Sequence, residues 1–322
     1  MDTQGLTAEA RHRRFRLRGC TDTYPGTRAG ALGLLCGLLL FLLVPAVAFA
    51  DEEMDLGKTG AELANPLGNL WALNMSFGLP QFYDGDIVSG APRTGTGMLF
   101  QPVMPLPLYG TGESALRLIT RPIIPVSFSQ PIPKGGQFQN IGGIGDIQVP
   151  LLLAVPDSIS GNFILGAGPV GMLPTATDYR LGKGQWAMGP AFVLGYKNKL
   201  LTAGVFPNYF WKIGSSSQGD RTPDINQGSM FYFLVFNLPK AWQIGMNPTI
   251  TYDHQASDGN RWNVPVGLFV GRTVKIGNMP LNIKVGCEYS VVSQKDYGQR
   301  AQIRIQITPV IESLIKKPIF GN

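Results

Sequence analysis

The side chains that could do chemistry in this chain are few, and they gather in one stretch. TYDHQASDGNRW (251–262) carries His254, one of two histidines, together with Asp253, Ser257 and Asp258. A hydroxyl, an imidazole and a carboxylate are the parts of a nucleophile–base arrangement, in which the imidazole takes the hydroxyl proton and the acid orients the imidazole. The stretch reads as a loop, and geometry is what identifies such sites. A surface hydrolase using His254 is therefore the lesser reading. TGTG (94–97) and GGIGD (142–146) lack the Lys-Ser/Thr of a phosphate loop and read as strand and turn glycines. A second set of polar residues interrupts apolar runs: Gln101, Arg117, Arg121, Asp146, Asn247, Thr249, Lys284, Glu288 and Arg304. What these can do depends on which way they face, and so on the elements that carry them.

Those elements read as strands. Twelve candidates fall at 69–79, 94–106, 114–126, 143–155, 161–172, 185–197, 199–211, 228–238, 242–252, 262–272, 280–293 and 299–312. Connections alternate short (107–113, 156–160, Asn198, 238–242, 273–279) and long (80–93, 127–142, 173–184, 212–227, 253–261, with a shorter one at 294–298). Period-two patterning is clear in several. Ala301, Ile303, Ile305 and Ile307 alternate with Gln302, Arg304, Gln306 and Thr308, and Leu281, Ile283, Val285, Cys287 and Tyr289 alternate with Asn282, Lys284, Gly286, Glu288 and Ser290. A soluble β-sandwich or periplasmic carrier would alternate too. The regular loop asymmetry favours an all-β, transmembrane, antiparallel up-and-down barrel of about twelve strands over 69–312. Aromatics near strand ends point the same way: Trp71, Trp186, Tyr196, Tyr209, Trp211, Trp242, Tyr252, Trp262 and Tyr289 are placed for interfacial girdles. Prolines in nearly every strand (among them Pro102, Pro122, Pro150, Pro190, Pro248 and Pro265) imply bulges, rim positions or local gaps, because proline removes a ladder donor.

Residues 1–50 read as an export leader: six arginines, the apolar run ALGLLCGLLLFLLVPAV (31–47), then Ala48-Phe49-Ala50 as a small-residue cleavage pattern. A permanent anchor is the alternative, and the apolar run is short for one. Cleavage would leave 21 basic and 18 acidic residues, so half of the overall net charge of +6 resides in the leader, and the remaining +3 implies no nucleic-acid partner. Cys287 would be the one cysteine left, which excludes an internal disulfide and a cysteine metal cluster. Residues 51–68 are expected to form a short helix stopped by Pro66, at the periplasmic mouth or tucked inside as a plug, or else a disordered leader. Residues 313–322 read as a periplasmic tail.

With charged faces inward, the nine polar residues named above would line the lumen, because each Arg or Lys on lipid costs about 2–4 kcal/mol at mid-membrane. Arg117, Arg121, Asp146, Glu288 and Arg304 could instead pair across the barrel and fill it. ELANPLGNLWAL (62–73), QPVMPL (101–106), RLITRPIIPV (117–126), GIGDIQVPLLLAVP (143–156), PTAT (174–177) with LGKGQWAMGP (181–190), and the run 260–292 carry a resemblance over essentially the whole mature chain. They resemble a family of bacterial outer-membrane proteins labelled "MetA-pathway of phenol degradation", whose members are described as transporters. The resemblance implies passive passage, in or out, of small aromatic or hydrophobic compounds, with no catalytic residue, cofactor or metal. It also implies surroundings of outer-membrane lipid and lipopolysaccharide, the barrel-insertion machinery as a partner, and a small-molecule solute. A structural or adhesive barrel that conducts nothing is the rival.

Overall fold

The computed structural model describes residues 50–216, 223–315 and 317–321. The leader expected over 1–50 lies outside them except for Ala50, as do 217–222 of the expected 212–227 loop. The described chain is a ring of twelve antiparallel strands. They are β1 (Ala72–Asp84), β2 (Arg93–Tyr109), β3 (Leu116–Thr120, continuing as Ile124–Lys134), β4 (Gln137–Ile144, continuing as Ile147–Ala154), β5 (Phe163–Leu173) and β6 (Gln185–Lys197). The second half comprises β7 (Leu201–Ser215), β8 (Asn226–Leu238), β9 (Trp242–Met246, continuing as Thr249–Asp253), β10 (Trp262–Ile276), β11 (Met279–Val292) and β12 (Gly298–Pro309). Each strand pairs with its chain neighbours. Phe77 of β1 lies between Met98 of β2 and Ile305 of β12, and this last pairing closes the ring. Closure leaves no unpaired edge, which is what a sheet needs in order to sit in hydrocarbon.

Alternation sorts the side chains. On β6, Trp186, Met188, Phe192 and Leu194 are about half exposed on the outer face, while Ala187, Ala191 and Val193 are buried inside. On β11 the outer face shows Cys287, Tyr289 and Val291, and Asn282, Lys284, Glu288 and Ser290 point inward. Aromatic pairs such as Tyr252–Trp262 (4.6 Å) and Tyr209–Trp211 (4.9 Å) stand near strand ends on the outside. Trp71 does not belong to that girdle: it is buried, and its indole N–H donates to the Pro105 carbonyl at 3.2 Å.

The prolines interrupt the ladder less than their number implies. Pro150, Pro169, Pro190, Pro207, Pro265 and Pro309 lie within continuous strands. Breaks fall beside Pro122 in β3 and Pro248 in β9, with a further one at Gly145–Asp146 in β4. In the β9 break the freed groups find partners. Arg304 donates from inside to the Asn247 carbonyl, and the Tyr232 hydroxyl, on the neighbouring β8, donates to the Pro265 carbonyl at 2.7 Å. A backbone group left unsatisfied in hydrocarbon would cost several kcal/mol.

The expected long loop 127–142 is instead strand. β3 and β4 extend past their neighbours and turn at Gly135–Gly136, both with positive φ, so that Lys134 faces Gln137. Residues of this extension need not be apolar on their outer face, so the hydropathy period that marks the membrane-level strands fades there. The 313–322 tail is also anchored: the amides of Ile319 and Phe320 donate to the carbonyls of Pro107 and Leu108 at the end of β2.

Before β1, helix α1 (Ala50–Ala64) stops at Pro66 and packs against the inner face of β8–β11 at the short-turn end. Its last turn is tied down by Glu62, whose carboxylate accepts the Asn69 amide at 2.7 Å. Gly60 makes the docking possible. A Cβ there would lie 2.7 Å from Thr273 Oγ1, so only glycine allows the helix this close to the wall.

Candidate functional site

Three adjoining cavities run along the interior. The widest, about 260 Å³, lies toward the loop end between β1–β3 and β12, among Ser76, Gln81, Tyr83, Leu99, Gln130 and Arg304. It shares Ser76, Leu99 and Arg304 with a second of about 90 Å³, which also meets Gln101, Arg121, Phe206 and Thr249. The second shares Asn74, Arg121, Phe231, Asn247 and Gln306 with a third of about 30 Å³ that ends against α1 at Glu62–Asn65. The interior therefore narrows toward the short-turn end, where the helix stops it.

The two sides of this passage differ in chemistry. On β3–β8 the inward residues are mainly apolar, with Asn208 and Ser229 as polar exceptions on the middle cavity: Ile119, Leu152, Val170, Phe206, Phe210 and Phe233 form one buried cluster, joined by Leu67 from the segment after α1. On β9–β12 and β1 they are polar. Glu288 pairs with Arg304 (2.8 Å) and accepts from Gln302, while Gln243 donates to the Gly60 carbonyl of α1 and to Asn237, each at 2.9 Å. Asn282 donates to Gln243 and Thr273 in the same buried network.

Of the nine polar residues read as lumen-lining, Gln101, Arg121, Asn247, Thr249, Lys284, Glu288 and Arg304 border these cavities or the smaller space behind Glu288. Arg117 and Asp146 do something else. Arg117 faces inward at the rim and donates to the Gly112 carbonyl, capping the β2–β3 turn. Asp146, at the break in β4, accepts the amides of Ala176 (3.1 Å) and Lys183 (2.6 Å) and so fastens the 174–184 loop to the wall. Thr175 and Thr177 bind the same break, each accepting an amide of β4. Neither Arg117 nor Asp146 joins a cross-barrel ion pair among the described residues, because short-range backbone partners hold both. The apolar half of the lining was not expected from the sequence. Its signal is the alternation of small and large apolar residues on β6, Ala187/Met188 and Ala191/Phe192, in which the smaller faces in.

At the loop end, Asp178 and Arg180 form a two-point pair (2.7 Å), and hydrogen bonding from Arg180 holds the Asp178 carboxyl down at about 2. Tyr297, stacked on Tyr83 and donating to the Pro131 carbonyl, has its phenol pushed up to about 12 by burial. The residues around His254 do not form a nucleophile–base set. His254 Nδ1 meets the Tyr252 hydroxyl at 3.2 Å, Asp253 is held by Lys183 and the Gln255 amide, and Ser257 accepts from Asn260.

No family model matches the chain, and no curated protein does. Among solved structures, the COG4313 outer membrane channel from Pseudomonas putida F1 matches with a TM-score of 0.54 at 12% identity, over 77% of this chain and 97% of that one. Outer membrane phospholipase A from Escherichia coli follows at a TM-score of 0.38 and 13% identity, over 79% and 99%. The Pseudomonas putida toluene transporter TodX gives 0.36 and 11%, over 78% and 92%. The first of these is a likeness of fold. Closure, strand number and apolar outer face define the class: a twelve-stranded antiparallel barrel of the bacterial outer-membrane type.

Proposed function

We propose that the chain is exported, loses residues 1–50, inserts in the bacterial outer membrane with its short turns and both termini on the periplasmic side, and passes small aromatic or hydrophobic solutes down their gradient. The observation that carries the reading is the two-sided passage, mainly apolar on β3–β8 and mainly polar on β9–β12 and β1. An apolar or aromatic solute loses its hydration shell against Phe206, Phe231 and Phe233, while polar groups opposite keep the path wet. The likeness to a solved outer membrane channel supports the same reading, as does the resemblance to the phenol-degradation family. Lipid, lipopolysaccharide and the barrel-insertion machinery are the partners it requires.

The test is to reconstitute protein whose folding is verified by a heat-dependent gel shift, then record planar-bilayer currents and the entry of a small aromatic compound into liposomes. Discrete current steps and protein-dependent entry are expected. Folded protein that gives neither overturns the reading in favour of a structural or adhesive barrel.

A further inference from the structure

The cavity against α1 holds two cations that no carboxylate neutralises. Arg304 is matched by Glu288 at 2.8 Å. Lys284, on the inner face of β11, lies over the Phe269 ring at 4.8 Å and has no ion pair or hydrogen bond among the described residues. Arg121, at the break in β3, donates one hydrogen bond to Gln101 Oε1 (2.9 Å), lies 5.8 Å from the Phe231 ring, and has a buried Nε with no partner. The acid that lines this cavity, Glu62, caps the Asn69 amide and makes no ion pair with either. A buried cation without a counter-charge is costly, and a bound anion would remove that cost.

Resting on the channel reading, we infer that Arg121 and Lys284 form a binding site for the carboxylate of a small monoanionic aromatic or aliphatic acid. Asn74, Asn247 and Gln306 supply further polar groups at the junction of the two inner cavities, and Phe206, Phe231 and Phe233 face the hydrocarbon body. The sizes fit. With roughly 10–15 Å³ needed per water, the inner space of about 30 Å³ suits a carboxylate and the adjoining 90 Å³ suits one ring. Arg121 presents a planar fork that can take both oxygens of a carboxylate, while Lys284 is a point charge behind it. The site would thus favour the ionised acid over its neutral alcohol analogue, a distinction the apolar wall alone cannot make.

Equilibrium dialysis of the detergent-purified, gel-shift-verified barrel with labelled benzoate and with benzyl alcohol tests this without requiring conduction. The expected result is saturable benzoate binding that falls at least tenfold in Arg121→Gln with Lys284→Met, with retention changed less than twofold for benzyl alcohol. Lys284→Arg alone should keep benzoate binding within a few-fold of wild type. Benzoate bound equally by wild type and the double variant, or not saturably by wild type, overturns the site. The channel reading is judged separately, by liposome entry of neutral benzyl alcohol: entry without benzoate binding sinks the anion site and leaves the channel standing.

Discussion

The close approach at Gly60 makes the closure of the passage testable by a single substitution. Helix α1 reaches the wall where a Cβ at residue 60 would stand 2.7 Å from Thr273 Oγ1 and 3.5 Å from the Gln243 amide carbon. Thr273 cannot swing away freely, because it is 1% exposed and its hydroxyl accepts from Asn282 at 3.0 Å. Gly60→Leu forces four carbons into this contact, and overpacking of this kind costs about 1–3 kcal/mol. The propensity gain of leucine over glycine favours the helix whether docked or not, so it does not offset the clash. At about 1.4 kcal/mol per decade, the undocked-to-docked ratio should rise roughly 5- to 150-fold. Single-channel recording should then show longer residence in a conducting state. Gly57→Leu is the matched control, since it lies on the same helix and a Cβ there meets nothing within 4 Å. Identical open fractions for the two variants, both folded, would refute the argument that α1 stops the passage.

Other consequences can be checked alongside it. Glu288→Ala strands Arg304, and breaking a buried pair costs about 3–5 kcal/mol; urea titration in micelles should show that loss, and Glu288→Gln should show less. In the 174–184 loop, the Asp178 carboxyl is held below its ordinary 3.8, so its contribution is present above that value and lost as pH falls through about 2. Pepsin should therefore cut the loop in wild type near pH 2 but not at pH 4, and should cut Asp178→Asn at both. Cys287 is exposed on the outer face of β11, so in liposomes a lipid-soluble maleimide should label it while a charged one does not. Equal labelling by both would contradict its placement against hydrocarbon.

The strands were legible because a barrel writes its two solvents into the chain with period two. Where lipid and water lie on opposite faces, as for Ile303 and Arg304, the pattern is unambiguous. It disappears on β5–β8, where Phe210 and Phe233 face inward and Trp211 and Phe236 face outward, because both neighbours are apolar. Polarity alone does not give two residues their partners. Arg117 and Asp146 are inward or interrupting charges, as the sequence implies, but a turn carbonyl and two loop amides reach them before any partner across the lumen can. Pro66 marks where α1 stops. Nothing in a fifteen-residue helix tells which wall it meets, except that Gly60 leaves space for one.

Arg304 does two jobs at once. It mends the backbone where Pro248 interrupts β9, through the oxygens of Asn247, and it balances the Glu288 carboxylate on the lining. Masonry and paintwork are here the same residue. A lineage that needed a neutral or acidic lining at this level could not simply exchange the side chain; it would first have to restore an unbroken ninth strand or recruit another donor for the orphaned carbonyl. On the proposed function, solute preference at this height would be harnessed to the soundness of the wall, and variation in the two should travel together.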